Sequence, residues 1–348
     1  MKSLRIHFQA LLKKINPPQE RRDLARDLVR DLRDWLQDHE FETVDPHTLL
    51  IGSYARSTAV LWIKDVDVLV FLPESALERT PNAVLLDLSK VLEGYPGAVV
   101  SAVGQRRSIR IEFEEHGFFL DVVPAVAPDG LDEPLKVPDR PKQEWIDSDP
   151  LGYMEHLSAL NQLHARKVVR LVKLVKAWRD EQMRIRRPKS YMLEVMVVKA
   201  VEDEKITLAG ESWPSILAQL LTYWADKYRD LMDKGEGVPR IFDPHLGHLI
   251  SGGWTRGELE TFVRRVREAN HAAQKACAAD SEEEASEQLR RVFGKLWPTD
   301  EEVEAEAEAE ASERQPGFSK IASSGLVVGP AAARSLPSRP THFHGRHR

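Results

Sequence analysis

The chain has 348 residues, 42% of them hydrophobic and 30% charged, with a net charge of −6. That length and apolar content suit one large or two ordinary domains, and no stretch has the roughly 18 consecutive apolar residues of a membrane-spanning helix. The single cysteine, Cys277, excludes an internal disulfide and a cysteine-rich zinc cluster, and the mild acidity argues against a general nucleic-acid coat.

The N-terminal MKSLRIHFQALLKK lacks the apolar core and small-residue cleavage site of a signal peptide, so a cytoplasmic protein is expected. The first firm element follows Pro17-Pro18, where Leu24, Leu28, Leu32, Trp35 and Leu36 recur at helical spacing. A β-rich region follows, with strands expected over residues 47–52, 65–72, 99–103, 108–114 and 118–126. Glu115-His116-Gly117 reads as a hairpin turn with glycine at the tight position, and residues 81–92 read as a helix. This first part is therefore α+β. Residues 124–150 carry six prolines and little periodicity, and read as a long connecting loop.

From Tyr153 onward the pattern is helical. Leu163, Val168, Leu171, Leu174, Val175 and Trp178 line one long helix, and Tyr191 begins a second. Further helices fit residues 215–234 and 255–279. A last one opens at Asp280, with Glu283 completing a capping box, and ends near Trp297-Pro298. Residues 300–310 form an acidic Glu/Ala run, and residues 315–348 are rich in Gly, Pro, Ser and His with only basic charges. Few large apolar residues remain there to offset ordering entropy, so disorder is expected, with extension of the last helix through the Glu/Ala run as the alternative.

The chemistry concentrates in IGSYARSTAVLWIKDVDVLVFL, residues 51–72. Gly52-Ser53 ends an apolar strand, where glycine admits close backbone approach and serine offers a hydroxyl and an N–H. Asp65 and Asp67, two apart on a strand, point to one face, and their repulsion is relieved by a hard divalent cation such as Mg²⁺. A third acid, Asp121, lies within the apolar run FFLDVVPAV, where a lone buried carboxylate is costly. Sharing a metal with Asp65 and Asp67 on a neighbouring strand offsets that cost. Three such carboxylates suit two-metal phosphoryl chemistry.

The order GSYARST, DVDVLV, FFLDVVPAV resembles the DNA polymerase β-like nucleotidyltransferase superfamily, and within it the cGAS/DncV-like nucleotidyltransferases (CD-NTases), the bacterial anti-phage (CBASS) second-messenger synthases. WIDSDP at 145–150, Asn161 with RLVKLVKAW at 170–178, and KSYMLE at 189–194 extend the resemblance over about residues 20–297. It implies an α+β fold with a polymerase β-like nucleotidyltransferase domain, a helical C-terminal (OAS-like) domain and a central cleft between two lobes. The division expected is 1–150 for an N-terminal helix plus the nucleotidyltransferase domain, 151–298 for the helical domain and 299–348 for the acidic run and basic tail.

The resemblance further implies metal-binding catalytic residues at Asp65, Asp67 and Asp121, with Mg²⁺ (two ions, Mn²⁺ a substitute) as cofactor. Triphosphate contacts fall on Gly52, Ser53, Lys173 and Ser190, and base stacking on Tyr191. Alternatives stay open. Lys176 competes with Lys173 for the cleft, Ser190 can serve only as an N-cap, and Tyr191 can belong to the core. Arg56 reaches phosphate or makes a surface ion pair, and Arg106-Arg107 reads as solvated.

The expected activity is a cyclic di- or oligonucleotide synthase working on nucleoside triphosphates in anti-phage defence. The alternatives are an enzyme that modifies an RNA end or a protein, and an inactive nucleotide-binding regulator. The missing cysteines speak against DNA-dependent activation through a zinc ribbon. The tail, ending in PTHFHGRHR, is a candidate handle for a regulatory or conjugating protein partner, with an unstructured solubilising end as the alternative.

Overall fold

The computed structural model describes residues 4–61, 64–102, 105–183, 185, 188–234 and 237–314. It forms one compact unit, Met1–Glu306, and a second, Ala307–Arg348, whose described residues continue a helix. The chain opens with α1 (Arg5–Ile15) and α2 (Gln19–Asp38), then β1 (Thr48–Ile51), a single turn α3 (Gly52–Ala55), β2 (Asp65–Phe71) and α4 (Pro81–Leu92). Strands β3 (Val99–Ser101), β4 (Ile109–Phe113) and β5 (Phe118–Ala125) complete a five-stranded sheet ordered β1-β2-β5-β4-β3. Of its pairings only β2–β5 is parallel. Gly117 makes the β4–β5 turn with a left-handed φ of 54°, and Val103 of the expected third strand lies outside the described residues.

Alternation on β2 and β5 sorts side chains into two layers. Val66, Val68, Val70, Leu120 and Val122 pack with Leu28, Leu32, Leu36, Leu85 and Leu88 of α2 and α4 in one core. Leu69, Phe71 and Ala125 face the other way, against Leu135 and Val137. Those two belong to β6 (Leu135–Asp139), which pairs with β7 (Glu144–Ser148), so the stretch read as a long loop contains a β-hairpin. Its prolines masked the alternation. Pro138 sits inside β6 opposite Trp145, and a strand outside the main sheet tolerates the lost N–H donor.

The helical part comprises α5 (Pro150–Leu163), α6 (Lys167–Gln182), α7 (Ser190–Glu202), α8 (Trp213–Asp233), α9 (Arg256–Ala278), α10 (Glu282–Phe293) and α11 (Asp300–Arg314). The expected single helix through Leu163 and Val168 is instead two. Ala165 and Arg166 adopt left-handed φ values of 51° and 61°, and the Asn161 side chain accepts from Val169 N–H at the start of the new helix. Leu163 consequently ends α5 and is 77% exposed. The cap of α10 is Ser281, accepting from Glu284 N–H, one residue beyond the capping box expected at Asp280 and Glu283.

The acidic run is a helix of its own rather than disordered. Thr299 and Glu302 cap it reciprocally, and Lys14 pairs with Glu302 and Lys13 with Glu306, each at 2.9 Å. The first helix, unanticipated from the sequence, sends Leu4, Phe8, Leu11 and Ile15 into the helical core beside Leu171, Trp178, Phe293 and Trp297. Among the described residues no helix is long and apolar enough to cross a membrane.

Candidate active site

The three acids meet because β2 and β5 run parallel side by side. Asp67 and Asp121 are register partners, and Asp65 lies two residues along the same face of β2. This is the face that Leu69, Phe71 and the β6–β7 hairpin cover further along the strands. Burial, then the charges of Asp65 and Asp121, push the Asp67 carboxyl up to about 6. Such a value marks concentrated negative charge that a cation would relieve. Asp121 is buried and clamped by Arg110, its register partner on β4, through Nε–Oδ1 and Nη2–Oδ2 bonds of 2.9 and 2.7 Å. Among the described residues no three His, Cys, Asp or Glu side chains stand ready to hold a metal ion. The donor chemistry nonetheless fits a hard divalent cation, because Asp65 and Asp67 offer carboxylate oxygens whose repulsion Arg56 and Arg110 offset only in part.

The glycine of the Gly-Ser pair is required sterically. Gly52 has a φ of +70°, and a Cβ added there would lie 2.0 Å from Asp67 Oδ2. The β1–α3 turn is thus pressed directly onto the carboxylate. Ser53 fixes the following segment, its carbonyl accepting from Thr58 and Ala59 N–H at 2.9 and 3.0 Å.

Behind that turn a buried charge cluster ties α3 to α6 and α7. Glu194, fully buried in α7, accepts from Arg56 Nε at 2.7 Å, Thr58 Oγ1 at 2.8 Å and Lys176 Nζ at 2.8 Å. Burial alone would raise the Glu194 carboxyl, but Lys176 and Arg56 reverse this and hold it at about 2. Arg56 is therefore committed to Glu194 rather than to a surface pair, with its guanidinium beside the Tyr153 and Tyr191 rings at 5.3 and 5.6 Å. Lys176 is likewise consumed. Lys173, half-buried, donates to Asn16 at 2.7 Å, and burial plus Arg22, Lys176 and Arg170 depress it to about 8.

Ser190 is the first residue of α7 rather than its cap, which is Lys189, and its Oγ accepts from Arg179 at 3.1 Å. Tyr191 packs edge-on to Tyr153 at 5.2 Å and donates its hydroxyl to Asp243 Oδ2 at 2.6 Å. Arg56, Tyr153, Tyr191 and Asp243 share a cleft of about 560 Å³ with Lys189, Arg106 and Arg107. The arginine pair, read as solvated, is half exposed and is also paired to Asp139.

Sequence reasoning gave no role to Arg110, Tyr153, Glu194 or Asp243. Glu194 carried a usable signal, a lone acid within the apolar run YMLEVMVV that demands a buried partner. Arg110 stands in the alternating SIRIEF, but its meeting with Asp121 depends on strand register. Asp243 lies in an irregular segment and had no signal.

The Second Messenger Oligonucleotide or Dinucleotide Synthetase domain model matches residues 1–161. Over 96% of its length the chain is 28% identical to a cyclic AMP-AMP-AMP synthase of an Acinetobacter species, covering 94% of that protein. It is 21% identical to a cyclic AMP-AMP-GMP synthase of Enterobacter hormaechei, with 85% of this chain and 92% of the relative aligned. In fold it is similar to E. coli CdnC in a complex with HORMA-deltaN, with a TM-score of 0.68 and 19% identity over 85% of this chain and 98% of CdnC. It is also similar to the Vibrio cholerae DncV cyclic AMP-GMP synthase bound to a linear intermediate, with a TM-score of 0.65 and 14% identity over 84% and 94% of the two chains. Members of this family use divalent metal ions for catalysis. These likenesses run through both the acid-bearing sheet and the helical lobe, and the chain is similar along its length to the cGAS/DncV-like nucleotidyltransferases.

Proposed function

We propose that this protein joins nucleoside triphosphates into a cyclic oligonucleotide second messenger in anti-phage defence, with a cyclic triadenylate as the first product to seek. The Acinetobacter relative supports that choice of product. The observation that carries the reading is the register pairing of Asp67 with Asp121, with Asp65 on the same face and Gly52 against Asp67. Asp65, Asp67 and Asp121 would hold two Mg²⁺ ions, or Mn²⁺, which when bound activate the attacking hydroxyl and stabilise the leaving pyrophosphate. For Asp121 to join, its oxygens must leave Arg110.

The remaining residues bind and orient. The Gly52–Ser53 turn offers backbone N–H groups and a hydroxyl to the donor triphosphate, with Lys173 and Ser190 as further phosphate contacts. Tyr191, held by Asp243, presents a ring for the donor base. Arg56 completes the cleft wall and, locked on Glu194, sets the angle between Tyr153 and Tyr191. The linear intermediate bound by DncV supports a two-stage course, in which a 5′-triphosphate-bearing linear chain forms before the ring closes. By analogy with the CdnC complex, we infer that the tail, residues 315–348, engages a protein partner; it lies outside the described residues.

The test is incubation with all four nucleoside triphosphates and Mg²⁺ or Mn²⁺, followed by mass spectrometry. A phosphatase-resistant cyclic product is expected, absent from Asp65→Ala and Asp67→Ala. Extension of an added RNA without a cyclic product would overturn the reading.

A further inference from the structure

Arg179 is a buried cation that the reaction as described leaves without a role; its side chain is 3% exposed. Like Lys176 one turn before it on α6, it reaches across to α7. Its guanidinium is held from several sides. Nε donates to Asp180 Oδ1 at 2.8 Å, Nη1 to the Pro188 carbonyl at 2.8 Å and Nη2 to Ser190 Oγ at 3.1 Å. The bonds to Asp180 and to the turn before α7 keep the fork aimed at Ser190, and a lysine lacks the planar set of donors to copy them.

The consequence falls on Ser190. An arginine only donates, so Ser190 Oγ is the acceptor in their bond and its own hydroxyl hydrogen must point elsewhere. A serine inside a helix can return that hydrogen to a carbonyl of the preceding turn. Ser190 opens α7, so no helical turn precedes it, and among the described residues its hydroxyl finds no acceptor. Lys189, the N-cap of α7, makes no side-chain cap bond to the first-turn N–H groups, and it shares the cleft wall with Tyr191. A hydroxyl donor beside uncapped helix N–H groups suits an anionic oxygen, and its bond to a cation strengthens it as a donor.

We propose that Arg179 is a positioning residue for nucleotidyl transfer: by occupying the Ser190 oxygen it turns the hydroxyl hydrogen to a phosphate oxygen of the donor nucleotide. This rests on the synthase reading. It places the contact on the same triphosphate that Gly52, Ser53 and Lys173 serve, not on a second site.

The test is a double-mutant cycle read through phosphate dependence. Binding of α,β-methylene-ATP, which cannot transfer its nucleotidyl group, and of adenosine is measured by calorimetry with Mg²⁺ on the full chain. Wild type should favour the analogue. Ser190→Ala and Arg179→Lys should each cut that preference about tenfold, the scale of one charge-assisted contact, while adenosine affinity stays level. The double variant should lose no more than either single one, because both remove the same contact, and Ser190→Thr should keep the preference. In turnover the loss in Arg179→Lys should fall on KM rather than kcat. Circular dichroism melts confirm folding, and Arg179→Gln serves if Arg179→Lys does not fold. An Arg179 that only staples α6 to α7 would weaken both ligands alike, and its loss would add to that of Ser190→Ala. Either outcome overturns the proposal, as does an unchanged preference in Arg179→Lys or Ser190→Ala, or a wild type that binds both ligands equally. A wild type that makes no cyclic product defeats the synthase reading instead, and the binding cycle still decides whether Arg179 acts through Ser190.

Discussion

Asp67 is the residue where the fold works against itself. Its carboxyl is pushed up to about 6 by burial and by Asp65 and Asp121, above its ordinary 3.8. The folded chain therefore binds more protons than the unfolded chain between those values. The penalty for ionised Asp67 is complete above about pH 6 and fades as pH falls toward 4. At neutral pH without metal, Asp67→Asn should stabilise the protein by on the order of 3 kcal/mol, two units at 1.36 kcal/mol each. At pH 4 the gain should vanish, and at any pH the variant should lose turnover. Denaturant melts in EDTA at both pH values check this, and an Asp67→Asn protein no more stable at pH 7 would remove the claimed repulsion. Asp65 and Asp67 were legible from spacing alone, because a period of two fixes their common face. Arg110 and Asp139 were not, since nothing local says which strand lies beside theirs.

Glu194 has the opposite sign and binds elements together. Its folded value of about 2 lies below the ordinary 4.5, so its contribution is present above pH 4.5 and is lost as pH falls toward 2. Three elements meet on this one carboxylate, the α3 turn through Arg56, α6 through Lys176, and α7 itself. Glu194→Ala should cost about 3–5 kcal/mol, because it leaves two buried cations unpaired. A loss under 1 kcal/mol in urea melts would show that water or relaxation already covers them. At the same scale, Phe8→Ala should cost about 3–5 kcal/mol, since α1 fills the helical core beside Phe293 and Trp297. A cost typical of a surface site would mean that α1 is dispensable. Helices with strong caps or long periodic faces, such as α4 and α9, were legible in the sequence. The break between α5 and α6 was not, because both halves keep a helical period and only the left-handed residues at 165 and 166 separate them.

Across the whole molecule, the proposed site residues from Gly52 to Tyr191 all lie within Met1–Glu306. A chain ending at Arg314 should therefore turn over nucleoside triphosphates with kcat and KM within about twofold of the full chain, judged against the tenfold that 1.4 kcal/mol represents. The partner proposal makes the converse demand, that this truncated chain loses the binding partner. Partner binding and signalling unchanged without residues 315–348 would sink it. A loss of turnover on truncation would instead place part of the active site in the tail. The −6 net charge is uninformative at this scale, because charge is locally divided. Acids crowd β2, β5 and α11, while the cleft mixes Arg56, Arg106, Arg107 and Lys189 with Asp147, Asp149 and Asp243.

The sequence by itself determined the acids and their shared face, the glycine at the β1–α3 turn, the family pattern and the alternation of a β-rich part with a helical part. Each follows from short-range periodicity or backbone conformation, which few neighbouring residues control. Tertiary structure decided the rest. It set Asp121 beside both Asp67 and Arg110, gave Lys176 to Glu194, turned a proline-rich stretch into the hairpin that brackets Arg106 and Arg107, and put Asp243 behind Tyr191. These partners lie between 11 residues apart (Arg110 and Asp121) and 54 apart (Asp67 and Asp121, 121 − 67). At such separations, strand register and helix packing choose the neighbour, and local composition carries no record of that choice.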